Sequence, residues 1–436
     1  MRTRRGPDPT GSSAAIAWGS MSDGPVIVIG GGLVGLSCAW FLREAGLEVV
    51  VLERGDPGGG ASRGNAGAIC PSMVEPLPAP GILRGGIGSM TRPDAALHVA
   101  PTYAPRLAGF LRRFAQAATR ERFEAGVDAL LPFALGVTEA YDELAAAGIG
   151  AHARADGYLF VHASWQAAHD EREHLLAMAA RGVCEEPEEV LDGADLREVA
   201  PVLTDAAAAG FVLPGERWIE PGRLVDDLAA SVDDAGVDLR IDTGVTGIEA
   251  SPDGVTVRTT EGSVDGATAV VAAGVWTRDL VAPLGLRLPL HPGKGYSFSV
   301  EADPMPGHVL YLPDAHVMAT PFDGRLRIAG TMEFDGTTDR FNGRRIGAIV
   351  KAAQPLLHAD LAHRADEWVG PRPITPDGLP FLGSLPEYER VVVAAGHNML
   401  GLTLAPITGR TIARLVATGD AGLDLTPFSP ARYGRD

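Results

Sequence analysis

The chain has 436 residues, 46% hydrophobic and 21% charged, with 55 glycines; this is more than one compact core usually serves, so two domains are expected and wholesale disorder is not. Thirty-seven basic against 55 acidic residues leave a formal charge of −18, a field that repels phosphate backbones and anionic bilayers and speaks against nucleic acid as a partner. Three cysteines without a C-x-x-C pair, and eleven histidines without H-E-x-x-H, predict no disulfide framework, no metal site and a reducing, cytoplasmic compartment.

Residues 1–24 begin Met-Arg-Thr-Arg-Arg and continue through Gly, Pro, Ser and Ala without the apolar core of an export signal. A disordered tail is expected, with the start left open between Met1 and Met21. The uncharged run Val26–Leu42 spans 17 residues, five of them Gly or Ser, which falls short of the roughly 20 apolar residues that cross a bilayer. No transmembrane segment is expected.

That run has another explanation. Pro25-Val-Ile-Val-Ile29 reads as a strand buried on both faces. It leads into Gly30-Gly-Gly-Leu-Val-Gly35, which contains G-x-G-x-x-G, and Leu36–Ala45 then reads as a helix stopped by Gly46. A second strand, Glu48–Leu52, ends at Glu53, followed by Arg54. Gly30 permits the tight turn, Gly32 bares backbone to a pyrophosphate, and Gly35 lets helix and strand pack closely. The helix start, with Leu33 and Val34, presents amides to the phosphate charge. Glu53, 18 residues past Gly35, is placed to accept from ribose hydroxyls. Strand, turn, helix, strand and acid in order predict a bound dinucleotide of either the FAD or the NAD type.

The next segment favours FAD. Gly58–Ala68 is a long loop of small residues, including Ala61, Ser62, Asn65, Ala66 and Gly67, through which backbone amides can approach phosphates and a ring system. Met73–Leu83, rich in Pro and Leu, is expected to form an entrance wall; its apolar residues also suit peripheral contact with a membrane or an electron acceptor. Tyr103–Gly148 and Trp165–Arg181 carry helical periodicity, as does Arg223–Ala235. Asp238–Ile241 reads as a strand, and Asp253-Gly254 as the turn of a hairpin between Val245–Ala250 and Val255–Thr260. Ala269–Gly274 is another buried strand ending in glycine, and Arg287–Ala302, His308–Thr320 and Arg325–Phe334 read as strands of a sheet roofing the cofactor. Val391–Ala395 is a strand leading to the loop Gly396–Leu402. Thr403 is expected to cap the following helix, with Pro406 in its first turn, where a missing N–H costs little.

Ala61-Ser-Arg-Gly-Asn-Ala-Gly67, followed by Pro71-Ser72 and Pro76-Leu-Pro-Ala-Pro-Gly81, resembles bacterial D-amino acid dehydrogenases, within the FAD-dependent D-amino acid oxidase and glycine oxidase superfamily. The likeness resumes at Gly157-Tyr-Leu159, Glu220-Pro-Gly-Arg223, Ala272-Ala-Gly-Val-Trp276, Pro292-Gly-Lys-Gly-Tyr296, Gly370-Pro-Arg-Pro373 and Gly396-His-Asn-Met-Leu-Gly-Leu-Thr403. It implies an α/β fold in which a Rossmann-type FAD-binding domain (25–85, 196–280 and 366–430) is interrupted by an α+β substrate domain (86–195 and 281–365) with a mixed or antiparallel sheet. It also implies that Val245, Ala273, Gly274 and Trp276 line the adenosine half of FAD. Met399, Leu400, Gly401, Leu402 and Thr403 would lie against the N1–C2=O2 edge of the ring, where helix amides stabilise negative charge. His397 would touch the flavin or fill a polar gap. Some relatives attach flavin through a C-terminal cysteine; none follows Cys184 here, so non-covalent FAD is expected.

By the same resemblance Arg372 is the arginine that grips a substrate carboxylate, its planar fork suited to bidentate binding. The tyrosine that accompanies it in parts of the family has no counterpart, because the chain reads Ala315-His-Val-Met318 at that place. Tyr296, Tyr158, Tyr311 and His316 are the candidates for a second donor, and Met332 is expected to border the ring or to belong to the core. The implied reaction takes hydride from Cα of a small D-amino acid, glycine or a proline-type amino acid to flavin N5. It gives an imino acid and then a 2-oxo acid, with the acceptor (quinone, another carrier or oxygen) left open. The competing readings are an FAD-binding isomerase or scaffold without redox turnover, and an NAD-dependent dehydrogenase.

Overall fold

Six short strands build the sheet on which the glycine fingerprint sits. Val26–Ile29 pairs in parallel with Val49–Leu52 on one side and with Thr268–Val271 on the other. Asp238–Arg240 extends the first side, Tyr388–Ala395 the second, and Phe381–Leu385 closes that edge antiparallel. Every residue of the three central strands is buried, which explains their near-continuous apolar runs. The computed structural model describes residues 24–434 other than 83–89, 91 and 93. The expected tail, all but Gly24, and Leu83 of the expected entrance wall lie outside the described residues.

The second sheet is mixed. Arg364–Ile374, His291–Val300, Arg325–Phe334, Val317–Phe322, Val309–Leu312, Tyr158–His162, Ala209–Leu213 and Leu191–Asp192 lie side by side, and Leu97–Val99 pairs with the end of Arg325–Phe334. Pairing is antiparallel except where Val309–Leu312 meets Tyr158–His162 and where Leu97–Val99 meets Met332–Phe334. The α/β class and the mixed sheet are therefore as expected.

Details of the layout differ from the sequence expectation. Ala209–Leu213 and Arg364–Ile374, in spans expected with the first sheet, are strands of the second, because position along the chain does not specify which strand a segment pairs with. Helix Arg120–Ala146, expected with the substrate region, packs Leu130, Phe133 and Val137 into the core beneath the first sheet. The strand expected over His308–Thr320 is broken in two. Pro313–Ala315 forms a 3-10 turn and His316 takes a left-handed conformation at φ 51°.

The last long helix, Gly401–Thr418, starts earlier than expected: its cap is Leu400, and Thr403 already lies within it. Pro406 consequently falls inside the helix, not in its first turn, and removes the N–H that would bond the carbonyl of Leu402 four residues back. The hydroxyl of Tyr141, on helix Arg120–Ala146, donates to that carbonyl at 2.8 Å. A neighbouring helix thus fills the gap that proline opens. Tyr141→Phe is expected to cost about 1–3 kcal/mol in urea unfolding, as for a buried acceptor left without a donor. The loss should shrink by at least half in a Pro406→Ala background, where the backbone N–H returns.

Candidate active site

A cavity of about 1180 Å³ lies between the two sheets. Ile29, Leu52, Ala272 and Ala395 line it from the carboxyl ends of the parallel strands, the place where open α/β sheets bind ligands. Gly330, Thr331, Met332 and Arg372 line it from the second sheet.

At one end the glycine turn has no room for side chains. A Cβ on Gly30 would sit 2.7 Å from the Ala272 carbonyl oxygen, and one on Gly35 would collide with the Gly30 oxygen. Gly35 accordingly packs helix against strand and does not line the cavity, whereas Gly30, Gly32, Leu33 and Val34 do. Helix Leu33–Glu44 opens at Gly32 with no side-chain cap on its own cap residue, and Ser62 Oγ accepts from Leu33 N at 3.2 Å. Glu53 Oε2 accepts from Gly31 N at 2.6 Å and Oε1 from Gly55 N at 3.1 Å, which fixes the carboxylate beside the turn. Beyond it the Arg54 guanidinium stacks 3.6 Å over the Trp276 ring, and Val245, Ala273 and Gly274 complete that end. Bare backbone, a helix start and an acid at the tip of the second strand fit a dinucleotide.

The small-residue loop runs along the middle. Ala61, Ser62, Asn65 and Ala66 line the cavity, but Gly67 does not; its left-handed φ of 83° and the bond from Ile219 N to its carbonyl at 2.9 Å turn it away. The second sheet grips this loop. Ser297 Oγ donates to the Gly64 carbonyl at 2.8 Å and Thr320 Oγ1 to the Ala66 carbonyl at 2.7 Å. A Cβ on Gly64 would collide with Trp368, another wall residue.

At the far end Gly401, Leu402 and Thr403 line the cavity with Met399 and Leu400. The amides that open the helix have no intrahelical acceptor, so their partial positive charge faces the cavity. Thr403 is not the cap. Its hydroxyl donates to the Ala68 carbonyl at 3.1 Å and receives Cys70 N at 3.3 Å, tying the helix start to the wall. Burial pushes the Cys70 thiol up to about 12, so it stays protonated and unreactive at neutral pH. His397 is buried, bonds Thr408 Oγ1 through Nε2 at 3.0 Å, and has its pKa pushed down to about 4 by burial. It is therefore neutral at pH 7 and fills a polar gap in the wall.

Arg372 reaches the cavity from the second sheet. Its Nη1 donates to the Thr331 carbonyl at 2.7 Å, and it lies over Gly295, where any Cβ would collide with the guanidinium. Among the described residues no carboxylate pairs with it. Burial lowers its pKa to about 10, which leaves it cationic at neutral pH. Thr331 sits at a left-handed φ of 55°, unusual for a β-branched residue, at a register shift opposite Gly295. Bulges re-aim groups in this way, and here the carbonyl turned aside meets the guanidinium.

The second-donor candidates separate clearly. Tyr158 does not line the cavity; its hydroxyl donates to the Arg217 carbonyl at 2.7 Å. Tyr296 reaches the wall, but its hydroxyl is bound to Glu333 Oε2 at 2.5 Å. Alternation explains this, because Lys294, Tyr296 and Phe298 face away while Gly293, Gly295 and Ser297 face the cavity side. Tyr311, His316 and Met332 line the cavity.

Asn398 escaped the sequence reading. At a left-handed φ of 53°, its Oδ1 accepts from Thr375 N at 2.8 Å and its Nδ2 donates to the carbonyls of Gly378 at 2.8 Å and Gly396 at 3.0 Å. Its backbone N–H donates to the Pro373 carbonyl at 3.2 Å. The loop before the helix is thereby fastened to the segment that carries Arg372. The G-H-N run was visible, but nothing in one sequence pairs it with Pro373 and Thr375.

Fold and cavity together define a dinucleotide-binding oxidoreductase of the Rossmann type. Residues 25–415 match the family model DAO, FAD dependent oxidoreductase, and the chain belongs to that family. It is 32% identical over 90% of its length to a D-amino acid dehydrogenase of Methylobacterium radiotolerans, covering 95% of that protein. It is 30% identical over 94% of its length to one of Xylella fastidiosa, again covering 95%. Among solved structures it is similar to glycine oxidase from Geobacillus kaustophilus, with a TM-score of 0.72, 27% identity, and 94% and 98% of the two chains covered. FAD is therefore the cofactor, and the non-redox and NAD readings fall away. Among the described residues no helix is long and apolar enough to cross a membrane. Gly35→Ala is expected to leave purified protein with less than a tenth of the wild-type flavin absorbance, because a collision inside the turn displaces the backbone a pyrophosphate needs.

Proposed function

We propose that the protein oxidises the C–N bond of a small D-amino acid, with glycine and proline-type amino acids as related substrates, to an imino acid that water converts to a 2-oxo acid. The observation that carries this reading is the Arg372 guanidinium, buried, without a carboxylate partner among the described residues, in the same cavity as the amides of Gly401–Thr403. A buried cation without a counter-charge is costly, and a substrate carboxylate in bidentate contact relieves that cost. The names of the 30–32% identical relatives point to the same substrate class. Bound FAD supplies the acceptor for the hydride that leaves Cα.

The chain's own part is to bind and orient. Arg372, held by the Thr331 carbonyl, fixes the carboxylate, so that one rotation of the substrate remains to be set by the walls. His397, kept neutral by burial, and the protonated Cys70 line the cavity as polar wall and carry no charge at neutral pH. The positive end of helix Gly401–Thr418 favours negative charge developing next to it. The expected setting is the cytoplasm, with peripheral membrane contact through the Met73–Ile82 wall; its support is the three free cysteines and the half-exposed Ile82.

Arg372→Ala is expected to raise KM for an amino-acid substrate at least tenfold, about 1.4 kcal/mol; an unchanged KM would remove this residue from the pocket. Anaerobic mixing with D-alanine and D-proline should bleach the flavin absorbance, and persistent yellow colour across a D-amino acid panel would overturn the proposal. Reoxidation with oxygen, a quinone or a dye then identifies the acceptor.

A further inference from the structure

The cavity does not end at Arg372. Past Met332 it continues into a lobe walled by Met90, Val99, Phe110, Phe114 and Phe334. Each of these side chains is at least nine-tenths buried, and none carries a polar group. The lobe joins the guanidinium directly. Ile374 lies two residues along the same strand from Arg372, and Met332 follows Thr331, whose carbonyl holds the guanidinium. Gly293 lets these two side chains close together, since a Cβ there would meet Ile374 at 2.6 Å and Met332 at 3.2 Å.

Among the described residues, the ring packed behind the lobe is neutral as well. His291 contacts Phe110 edge-on at 5.1 Å, bonds the Tyr103 hydroxyl at 2.9 Å, and has its pKa pushed down to about 4 by burial and by Arg278. The charged groups at the lobe's rim are committed to each other: Asp94 pairs with Lys351 at 2.6 Å and with Arg92 at 3.3 Å. A glycine or alanine substrate anchored on Arg372 would leave this apolar surface wet, which is unfavourable in proportion to its area. Methionine at two of the wall positions adapts its shape to different apolar groups.

We infer that the lobe is the side-chain pocket of the substrate and that the preferred substrate carries a bulky apolar side chain, of the phenylalanine, leucine or methionine class. This rests on the amino-acid reading of the site and deepens it. The carboxylate sits on Arg372, the side chain lies against Met332 and Ile374 with its end between Phe110 and Phe334, and acidic or basic side chains are refused for want of a partner.

Two measurements test it. Without turnover, 3-phenylpropionate should bind the FAD-loaded enzyme at least about tenfold more tightly than propionate, followed by perturbation of the flavin spectrum. In anaerobic reduction, kcat/KM for D-phenylalanine should exceed that for D-alanine by at least about tenfold. Val99→Phe, which fills the lobe, should reduce the D-phenylalanine value at least tenfold more than the D-alanine value, with flavin content reporting that the variant is folded. Equal binding of the two acids, or equal loss for both substrates in Val99→Phe, would overturn the inference. So would a Val99→Phe defect confined to reoxidation by a short-chain quinone, which would assign the lobe to the electron acceptor. If no amino acid bleaches the flavin, the amino-acid reading itself fails; if D-alanine or glycine bleaches it best, that reading stands and the apolar pocket does not.

Discussion

The site depends on the hydrogen bonds of one asparagine in the cavity wall. Asn398 binds the loop before the last helix to the residues just after Arg372, through Thr375, Gly378, Gly396 and Pro373. The amides opening that helix and the guanidinium facing them come from segments that start in different sheets. Their separation is what a ring and an acid group between them would have to match, and polar contacts in a dry interior hold such a separation closely. A left-handed asparagine suits this position because its short amide reaches backbone groups on both sides at once.

The charge layout follows from the same arrangement. The whole chain is strongly acidic, yet its cavity presents two helix starts and a guanidinium that no carboxylate pairs with among the described residues, so an anion that enters meets positive groups at each end. Of the acids lining the cavity, Glu53 is occupied by the amides of Gly31 and Gly55, Asp94 by Lys351, Asp279 by Arg278 and Asp314 by the Ala163 amide, and the buried Glu333 and Asp335 face the opposite side of the sheet, bound to Lys294. No free carboxylate among the described residues competes with a ligand for Arg372.

The fingerprint half of the protein was legible because its information is local. Gly30, Gly32, Gly35 and Glu53 are bound to one strand–turn–helix–strand unit, and its spacing determines what each atom meets. Arg372 was found through a motif, and its lack of an acidic partner became visible only in three dimensions. The failures share a cause. Tyr158 and Tyr296 carry suitable hydroxyls, but the Arg217 carbonyl takes the first and Glu333, on the far face of its strand, the second. Thr403 has the side chain of a cap, yet the helix begins before it, with Tyr141 on a distant helix giving Leu402 the donor that the internal proline withholds. Strands Ala209–Leu213 and Arg364–Ile374 fell in spans assigned to the first domain and join the second sheet instead, since long-range pairing leaves no mark at short range.

The grip of Ser297 and Thr320 on the carbonyls of Gly64 and Ala66 has a consequence for how the protein matures. The segment that closes around the cofactor is also the segment by which one sheet holds the other. Whatever free energy FAD contributes on binding is therefore shared with the docking of the two sheets, so loading tightens the seam between them as well as filling the site.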